Sequence, residues 1–326
     1  MNDRAVAVFE QYDFEIEQTK KARGAIVAIT DIGPVALWEY TGKTEKLQNY
    51  KAVCDKLCEL GFPYADNLIE NTQGQLYVTD YDGKRYIVKK HFDGRECDVY
   101  NVEDCRFIVG ELAKLHKLME FGEDFTSEAA TVRDFSKRET ELLRVRSFMR
   151  RVSQKGEFEM CFLKEYPYFE EVAKEATAVL NPECLMRLTK LVQKKGMFCH
   201  GDCNQHNILI QEGNMVVTHF EKCCKDIQVR DLYLFLRKIL EKNEWSYDFG
   251  MKVLDAYLSE KELDKDEKRY LFARLLYPER FWKIANAYLN KRKSLPPRRQ
   301  SEKLQALKEI ELARRDFLNK LEKELL

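Results

Sequence analysis

Residues 199–207 (Cys-His-Gly-Asp-Cys-Asn-Gln-His-Asn) constrain the fold of this chain more than any other segment. They follow a helical pattern that ends at Gly196, and they precede two short apolar runs separated by a tight-turn signal at Gly213. The sequence therefore predicts a polar loop between a helix and a hairpin. Asp202 and Asn207 are close enough along this loop for both side chains to turn into one cleft.

The spacing of these two residues, an Asp and then an Asn after four intervening residues, is typical of the catalytic loop of kinase-like phosphotransferases. In such loops the aspartate orients the attacking hydroxyl or accepts its proton, and the asparagine oxygen binds magnesium. The alternative interpretation is a polar loop whose Asp and Asn only cap turns. The flanking helix and hairpin favour the catalytic loop, because they are observations independent of the motif itself.

Length and charge limit the classes of protein to which the chain can belong. A length of 326 residues allows a sizeable core and favours two lobes. The 55 basic residues balance the 55 acidic ones, which argues against a nucleic-acid partner. No apolar run approaches the roughly 20 residues that span a bilayer, and the N-terminal segment lacks a signal-peptide core. We expect a cytoplasmic protein without a membrane partner.

The ten cysteines are expected to be free thiols in a reducing compartment. Several thiols and imidazoles nevertheless flank the loop and its hairpin: Cys199, Cys203, Cys223, Cys224, His200, His206 and His219. A structural site for a soft metal is therefore an alternative. The absence of a Cys-x-x-Cys pair argues against it, and free cysteines are commonly buried as small hydrophobic residues.

The pattern before residue 93 predicts a small, mainly antiparallel β lobe with one helix. The predicted strands are 14–19, 25–30, 35–40, 75–81 and 85–92, and the predicted helix is 44–60. Gly24 belongs to the turn of the first hairpin, and Asp82-Gly83 is a strong signal for the last one. We assign residues 1–92 to this lobe and expect a hinge at 91–95.

The pattern from residue 93 onward predicts a large helical lobe, 93–326, which contains the loop 199–207. The predicted helices are 103–119, 132–152, 157–179 with a break at Pro167, 182–195, one that opens at Asp231, 247–258, 266–276, 279–289 and 301–326. The basic face of 132–152 is interpreted as solvated surface. The apolar stripe of 301–326 is expected to dock on this lobe and not to dimerise, which predicts a monomer.

Four motifs carry a resemblance to known proteins: 112–116 (Leu-Ala-Lys-Leu-His), 200–207, 220–222 followed by 228–232, and 277–286 (Tyr-Pro-Glu-Arg-Phe-Trp-Lys-Ile-Ala-Asn). With them, the chain resembles the aminoglycoside phosphotransferase and choline kinase group, and within it the CotS-type spore coat proteins of spore-forming bacteria. The resemblance implies an α+β, bilobal protein-kinase-like fold with ATP and Mg²⁺ as cofactors. It also implies a small hydroxylated substrate, and other spore coat proteins as partners.

The same resemblance implies roles for individual residues. Asp202 matches the catalytic aspartate and Asn207 the first metal ligand. His200 would brace the loop, and Asp231 would cap its helix and hydrogen-bond to the catalytic segment. Gly24, in the first turn, and Trp38, whose ring could stack on an adenine or fill the site, are assigned to nucleotide binding.

Two positions depart from the family pattern. Trp38 stands where the third strand should carry a lysine for the nucleotide phosphates, and His219 stands where a metal-binding aspartate is expected. An imidazole nitrogen is a poor magnesium ligand, and a lost lysine removes charge that offsets the phosphates. The groups that could replace them are the carboxylates Glu221 and Asp226 and the lysines Lys43, Lys46 and Lys89. The candidate metal ligands are thus Asn207, His219 and Glu221.

Three functional hypotheses remain open from the sequence. The first is a kinase-fold spore coat component with weak or lost catalysis. The second is an active ATP-dependent kinase for a small hydroxylated substrate, and the third is a metal-binding module. Fold resemblance does not choose among them, because function depends on the site. Trp38 and His219 favour the first over the second on electrostatic grounds.

Overall fold

The computed structural model of the chain describes residues 3–22, 24–126, 128–130, 132–291 and 297–326. An antiparallel sheet with one α-helix precedes a mainly helical lobe, as predicted. The elements of the small lobe are β1 (Ile16–Ala22), β2 (Ala25–Thr30), β3 (Gly33–Glu39), α1 (Glu45–Glu59), β4 (Leu68–Ile69), β5 (Val78–Thr79) and β6 (Arg85–Lys90). The short strand β7 (Arg95–Glu96) follows and pairs with the other lobe.

The sheet of the small lobe runs in the order β1-β2-β3-β6-β4, and β5 pairs with β6. The register of β3 against β6 places Ala36 opposite Lys89 and Trp38 opposite Ile87. Directly opposite residues share a face of the sheet, and so do residues two apart on one strand. Lys89 and Trp38 are therefore diagonal neighbours on one face.

The large lobe contains nine α-helices and four short strands within the described residues. The helices are α2 (Val102–Leu118), α3 (Ser136–Arg151), α4 (Glu157–Val179), α5 (Pro182–Lys195), α6 (Val229–Lys242), α7 (Tyr247–Leu258), α8 (Lys265–Leu276), α9 (Glu279–Lys291) and α10 (Pro297–Leu325). The strands are β8 (Phe198–Cys199), β9 (Ile208–Gln211), β10 (Asn214–Val217) and β11 (Cys224–Lys225). The hairpin β9–β10 and the helix before the loop agree with the prediction.

The helix α10 docks on the large lobe through the predicted stripe, which is buried: Leu304, Leu307, Phe317, Leu321 and Leu325. It packs against α4, α8 and α9. Arg314 of this helix donates to the backbone carbonyl oxygens of Leu275 and Leu276 at the end of α8. Across the described ranges, no helix combines the length and the apolarity that crossing a membrane requires.

Several element boundaries differ from the prediction. The break at Pro167 is wrong, because α4 runs through it. The proline ring costs a backbone hydrogen bond, but Phe162 and Phe169 on either side stack on Phe281 of α9, at ring-centroid distances of 5.2 and 4.3 Å. The predicted strand 75–81 contracts to β5, after a local turn in which the Asn71 side chain accepts the backbone N–H of Gln75.

Two expectations about helix α3 need correction, and two short elements were not predicted. Helix α3 begins at Ser136, and its basic face is not simply solvated, since Arg138 pairs with Glu279 and Arg146 with Glu170. A 3₁₀ helix at Asp3–Gln11 was not predicted; it packs Val8 and Phe9 on the sheet. Strand β4 was also missed. These short elements owe their structure to packing and not to local pattern.

Candidate active site

The loop 200–207 is fixed by the buried side chain of Asp231. The carboxylate of Asp231 accepts the backbone N–H groups of His200 and Gly201, with N–O distances of 2.6 and 2.8 Å. Both carboxylate oxygens therefore face the loop, as expected for a residue that hydrogen-bonds to the catalytic segment. The expected cap is wrong: helix α6 begins at Val229, so Asp231 lies inside its first turn.

Gly201 has a backbone conformation that this close approach requires. Its φ is +81°, and a Cβ atom there would lie 2.3 Å from the carbonyl oxygen of Lys222. A side chain would thus collide with the backbone of the segment after β10. The glycine brings the loop directly against the turn that carries His219 and Glu221.

His200 joins the loop to the end of the hairpin. Its Nε2 lies 2.9 Å from the carbonyl oxygen of Thr218, and its Nδ1 lies 3.3 Å from the backbone nitrogen of Asp202. These partners fix the tautomer, because Nε2–H must donate to the carbonyl and Nδ1 must accept. The ring is buried and meets Phe220 edge-on at 4.9 Å between centroids. His200 thus occupies the bracing position expected for it.

Asp202 and Asn207 lie together, as the spacing suggests. The Asn207 amide nitrogen donates to the backbone carbonyl of Asp202 at 2.9 Å, which leaves its amide oxygen as the atom able to bind a cation. The Asp202 carboxylate is partly exposed and pairs with the Lys222 ammonium, with an N–O distance of 2.8 Å. An exposed pair of this kind contributes only about 0–1 kcal/mol to stability, so the carboxylate remains available.

Trp38 fills the space beneath the first hairpin turn. A Cβ atom on Gly24 would lie 3.3 Å from the Cζ3 atom of the indole, so the turn packs directly on the ring. On the other side the indole meets His219 edge-on, with 4.9 Å between ring centroids. His219 has a left-handed backbone, φ +67°, which is uncommon for a residue with a side chain. The indole therefore occupies space between two positions that the resemblance assigned to nucleotide and metal.

A buried lysine faces the same space. The Lys89 Nζ lies 2.7 Å from Asp66 Oδ2, 3.2 Å from Glu221 Oε1 and 3.3 Å from His219 Nδ1. It also lies 5.1 Å from the centre of the Trp38 ring. We call Lys89, Asp66, Glu221 and His219 the Lys89 cluster. The two carboxylates accept hydrogen bonds from this ammonium, and the His219 ring nitrogen lies beside it.

Contacts between the two lobes hold Asp66 in this cluster. The segment before β4 pairs with the end of β10, where Ala65 and Val217 form a parallel bridge. Asp66 then accepts the Tyr50 hydroxyl at 2.6 Å and the His219 backbone N–H at 2.9 Å. The carboxylate is almost fully buried, and these donors compensate for its loss of water.

Two groups of the cluster, Lys89 and Glu221, are stabilised in their ionised forms. Burial lowers the pKa of Lys89, but the carboxylates of Asp66 and Glu221 raise it by more than burial lowers it. The pKa therefore lies above its ordinary value. Burial raises the pKa of Glu221, but contacts with His219 and Lys89 hold it well below its usual range. The Lys89 ammonium is therefore already paired with two carboxylates, which leaves less of its charge to attract phosphate oxygens.

The other groups that the sequence offered in place of the family's aspartate and lysine do not belong to the Lys89 cluster. Asp226 is buried against Arg230, with an N–O distance of 3.0 Å. Lys43 and Lys46 are exposed. Lys89 and Glu221 were identified as candidates from the sequence, whereas Asp66, Tyr50 and Lys222 were missed. Asp66 follows a helix in a loop without periodicity, so only its tertiary contacts identify it.

The thiols and imidazoles around the loop do not gather into one metal site. Within the described ranges, the group of possible ligands that converges is Cys199, Cys224 and Asp226. Cys203 and Cys223 are buried in the hydrophobic core, and His206 pairs with Glu96 at the surface. Of the predicted metal ligands, His219 and Glu221 are adjacent, with Nδ1 and Oε1 3.5 Å apart.

Comparison with known proteins identifies relatives over nearly the whole chain. A family model described as "Spore coat putative kinase YutH" matches residues 6–321. The protein "Spore coat protein S" of Bacillus subtilis (strain 168) is 25% identical over 336 residues, covering 96% of this chain and 92% of the relative. These matches agree with the resemblance inferred from the motifs.

Solved structures share the bilobal kinase-like fold. An aminoglycoside phosphotransferase from Alicyclobacillus acidocaldarius aligns with a TM-score of 0.83 and 21% identity, covering 98% of this chain and 96% of that chain. The AMP-bound spectinomycin phosphotransferase APH(9)-Ia aligns with a TM-score of 0.58 and 13% identity, covering 95% and 96%. The amicoumacin kinase hAmiN, in complex with AMP-PNP, Ca²⁺ and Ami, has a TM-score of 0.55 and 13% identity, covering 98% and 94%. The predicted fold is confirmed.

Proposed function

We propose, on the premise that the chain belongs to the family described as "Spore coat putative kinase YutH", that it is a spore-coat-associated protein whose kinase-type site has weak or lost catalysis. The carrying observation is the Lys89 cluster, in which the buried cation beside the catalytic loop is already bonded to Asp66, Glu221 and His219. The loop 200–207 holds Asp202 and Asn207 together, so the proposal concerns the phosphate side of the site.

The buried ion pair of Lys89 and Asp66 opposes phosphate binding. Phosphoryl transfer depends mainly on positioning and on cations that offset the charge of the phosphates. Lys89 could contact a phosphate only by giving up one of its contacts with Asp66, Glu221 or His219, and the Asp66 carboxylate is almost fully buried. Leaving one partner of a buried pair unpaired costs about 3–5 kcal/mol. This cost opposes nucleotide binding.

The residues present do not fit the magnesium–ATP arrangement that the family implies. Magnesium prefers a near-octahedral set of oxygen ligands. Here Asn207 offers an amide oxygen, Glu221 is bonded to Lys89, and His219 offers a nitrogen. The indole of Trp38 also fills space under the Gly24 turn. We therefore expect weak nucleotide binding with little dependence on magnesium.

Calorimetric titration with ATP tests this expectation, with and without Mg²⁺. We expect dissociation constants near the millimolar range, about 4 kcal/mol of binding free energy, that change little when the ion is added. Micromolar and strictly magnesium-dependent binding would overturn the proposal.

The double variant Trp38→Lys, His219→Asp tests which positions limit catalysis. Each lost electrostatic contact typically costs about a hundred- to a thousandfold in rate, so the double variant should raise magnesium-dependent ATP hydrolysis at least about a hundredfold. Adding Asp202→Ala should abolish the gain. His206→Asp is a matched control, because it makes the same substitution at a histidine of the loop 200–207 that pairs with Glu96 at the surface. A gain that survives Asp202→Ala would contradict the assignment.

The alternative function is an active kinase for a small hydroxylated substrate. The observation in its favour is the loop, where Asp202 is partly exposed and Asn207 is hydrogen-bonded to its carbonyl. Under this alternative, the wild-type protein hydrolyses ATP as fast as the double variant Trp38→Lys, His219→Asp. The same assay therefore separates the two functions.

Assembly into the spore coat, with other coat proteins as partners, is part of the proposal. We propose a cytoplasmic monomer that joins the coat during sporulation. A fluorescent fusion in sporulating cells should move from the cytoplasm to the forespore surface. A fusion that stays dispersed after the coat has formed would contradict this.

A further inference from the structure

Two cysteines face each other directly behind the catalytic loop. Cys199 of β8 and Cys224 of β11 are partners in the antiparallel ladder, and their sulfur atoms lie 3.7 Å apart. Paired residues on antiparallel strands have Cα atoms about 4.5–5.5 Å apart, which lies within the range of about 4.4–6.8 Å found in disulfides. A bond between the sulfurs therefore needs side-chain rotation and no movement of the strands.

A guanidinium group lies against both sulfurs. The Arg230 Nη1 is 3.4 Å from Cys224 Sγ and 3.6 Å from Cys199 Sγ, and it pairs with Asp226 at 3.0 Å. Arginine remains positively charged in proteins. A fixed cation among these three groups disfavours a bound metal ion and favours a thiolate.

The two thiols differ in exposure and in acidity. Cys199 is fully buried, whereas Cys224 is partly accessible. The hydrogen bond from Cys199 and the charge of Arg230 lower the pKa of Cys224, although burial opposes them. The hydrogen bond with Cys224 and burial raise the pKa of Cys199. Cys224 is thus suited to react first and Cys199 to react second.

We propose that Cys199 and Cys224 form a reversible disulfide when the protein meets a peroxide. The Cys224 thiolate attacks one oxygen of hydrogen peroxide, and the O–O bond breaks. Hydroxide is the leaving group, and Cys224 becomes a sulfenic acid. The Cys199 sulfur then gives up its proton and attacks the Cys224 sulfur, and the S–O bond breaks to release water. Two thiols are oxidised, and one peroxide is reduced to two waters.

The disulfide would cross-link two functional segments. Cys199 directly precedes His200 of the catalytic loop, and Cys224 follows the turn that carries Glu221 and Lys222. The bond would fix the loop relative to the Lys89 cluster. This inference is independent of nucleotide binding, so it holds for a catalytic or a non-catalytic protein.

The test uses full-length reduced protein treated with hydrogen peroxide and digested without reductant. Cleavage after Lys195, Lys222 and Lys225 gives one peptide with Cys199 and Cys203 and another with Cys223 and Cys224. Variants are therefore needed to assign the bond. All proteins carry Cys58→Ser, because Cys58 is exposed and could link two molecules.

We expect the linked peptides in the parent protein and in the matched controls Cys203→Ser and Cys223→Ser. Cys199→Ser should instead accumulate a sulfenic acid on Cys224 that dimedone captures, and Cys224→Ser should give neither product. Persistence of the link in Cys199→Ser or Cys224→Ser would overturn the proposal, as would its absence in the parent protein. Stoichiometric zinc binding that Cys224→Ser abolishes would also overturn it, in favour of a metal site.

Discussion

At the scale of single residues, the main feature is a charge network that replaces an expected side chain. The family pattern calls for a lysine at position 38, and the structure has a tryptophan there with a lysine at position 89 as its diagonal neighbour. Lys89 is buried between Asp66 and Glu221. Such a network stabilises the folded protein, because each charged group has a partner.

Lys89→Met tests the energy of this network. The change leaves the buried Asp66 carboxylate without its cation, so we expect the free energy of unfolding to fall by about 3–5 kcal/mol. Lys90→Met is the matched control, since Lys90 is the exposed next residue of β6 and should change stability by less than about 0.5 kcal/mol. Urea denaturation measures both, and equal effects would contradict the role of the cluster.

The pH dependence of stability tests the ionisation of Glu221. Its folded pKa lies well below the ordinary value of 4.5, so its contribution is present above about that pH and is lost as the pH falls through the folded pKa. Glu221→Gln should therefore be less stable than the wild type at pH 7, and the difference should shrink as the pH falls below 4.5. Denaturation at a series of pH values measures this. A difference that stays constant down to pH 3 would contradict it.

At the scale of elements, the site depends on close approach between a loop and a turn. The loop 200–207 contacts the Phe220–Lys222 turn through Gly201, and the carboxylate of Asp231 holds the same peptide group. Helix α1 packs on that turn, with the Tyr50 and Phe220 rings 5.9 Å apart. The small lobe thus helps to position the loop of the large lobe.

Gly201→Ala tests this close approach. The new methyl group would meet the Lys222 carbonyl oxygen, and we expect a loss of about 1–3 kcal/mol for overpacking, added to the strain of a left-handed backbone. Gly213→Ala is the matched control, because Gly213 has a similar φ of +78° and no atom within 4 Å of the added Cβ. It should cost only about 1–2 kcal/mol of strain. Thermal unfolding that ranks the two variants equally would contradict the steric argument.

At the scale of the whole molecule, the large lobe is completed by its last helix. Helix α10 covers α4, α8 and α9, and Arg314 satisfies carbonyl groups at the end of α8. The stripe on α10 is thus used within the chain, which is consistent with the proposed monomer.

Leu321→Ala tests how much α10 contributes. Leu321 is fully buried, so we expect a loss of about 2–5 kcal/mol for the lost burial and the cavity. Leu312→Ala on the same helix is the control, because Leu312 is 81% exposed and should change stability by less than about 0.5 kcal/mol. Thermal unfolding measures both variants. Equal unfolding temperatures would contradict the prediction and would mean that α10 contributes little to the packing of the lobe.

The sequence by itself determined the parts of the protein that depend on local pattern. Helix α5 ends at Lys195 and is capped by Gly196, and the hairpin β9–β10 turns at Gly213. The loop between them has Asp202 and Asn207 side by side. Caps, glycine turns and apolar periodicity act over a few residues, so they can be read without a fold. The family and the bilobal fold also followed from motifs. The catalytic roles of the loop residues and the lobe boundary at 92 and 93 stay predictions.

Only the tertiary structure decided which groups meet in the site. Lys89, Asp66 and Glu221 come from a strand, a loop and a turn that are distant in sequence, and the β3–β6 register brings the lysine to the Trp38 ring. The pairing of Cys199 with Cys224 likewise depends on two strands of two residues each. Long-range contacts of this kind leave no periodic signal, because their energy comes from burial and charge pairing between segments that no local rule connects.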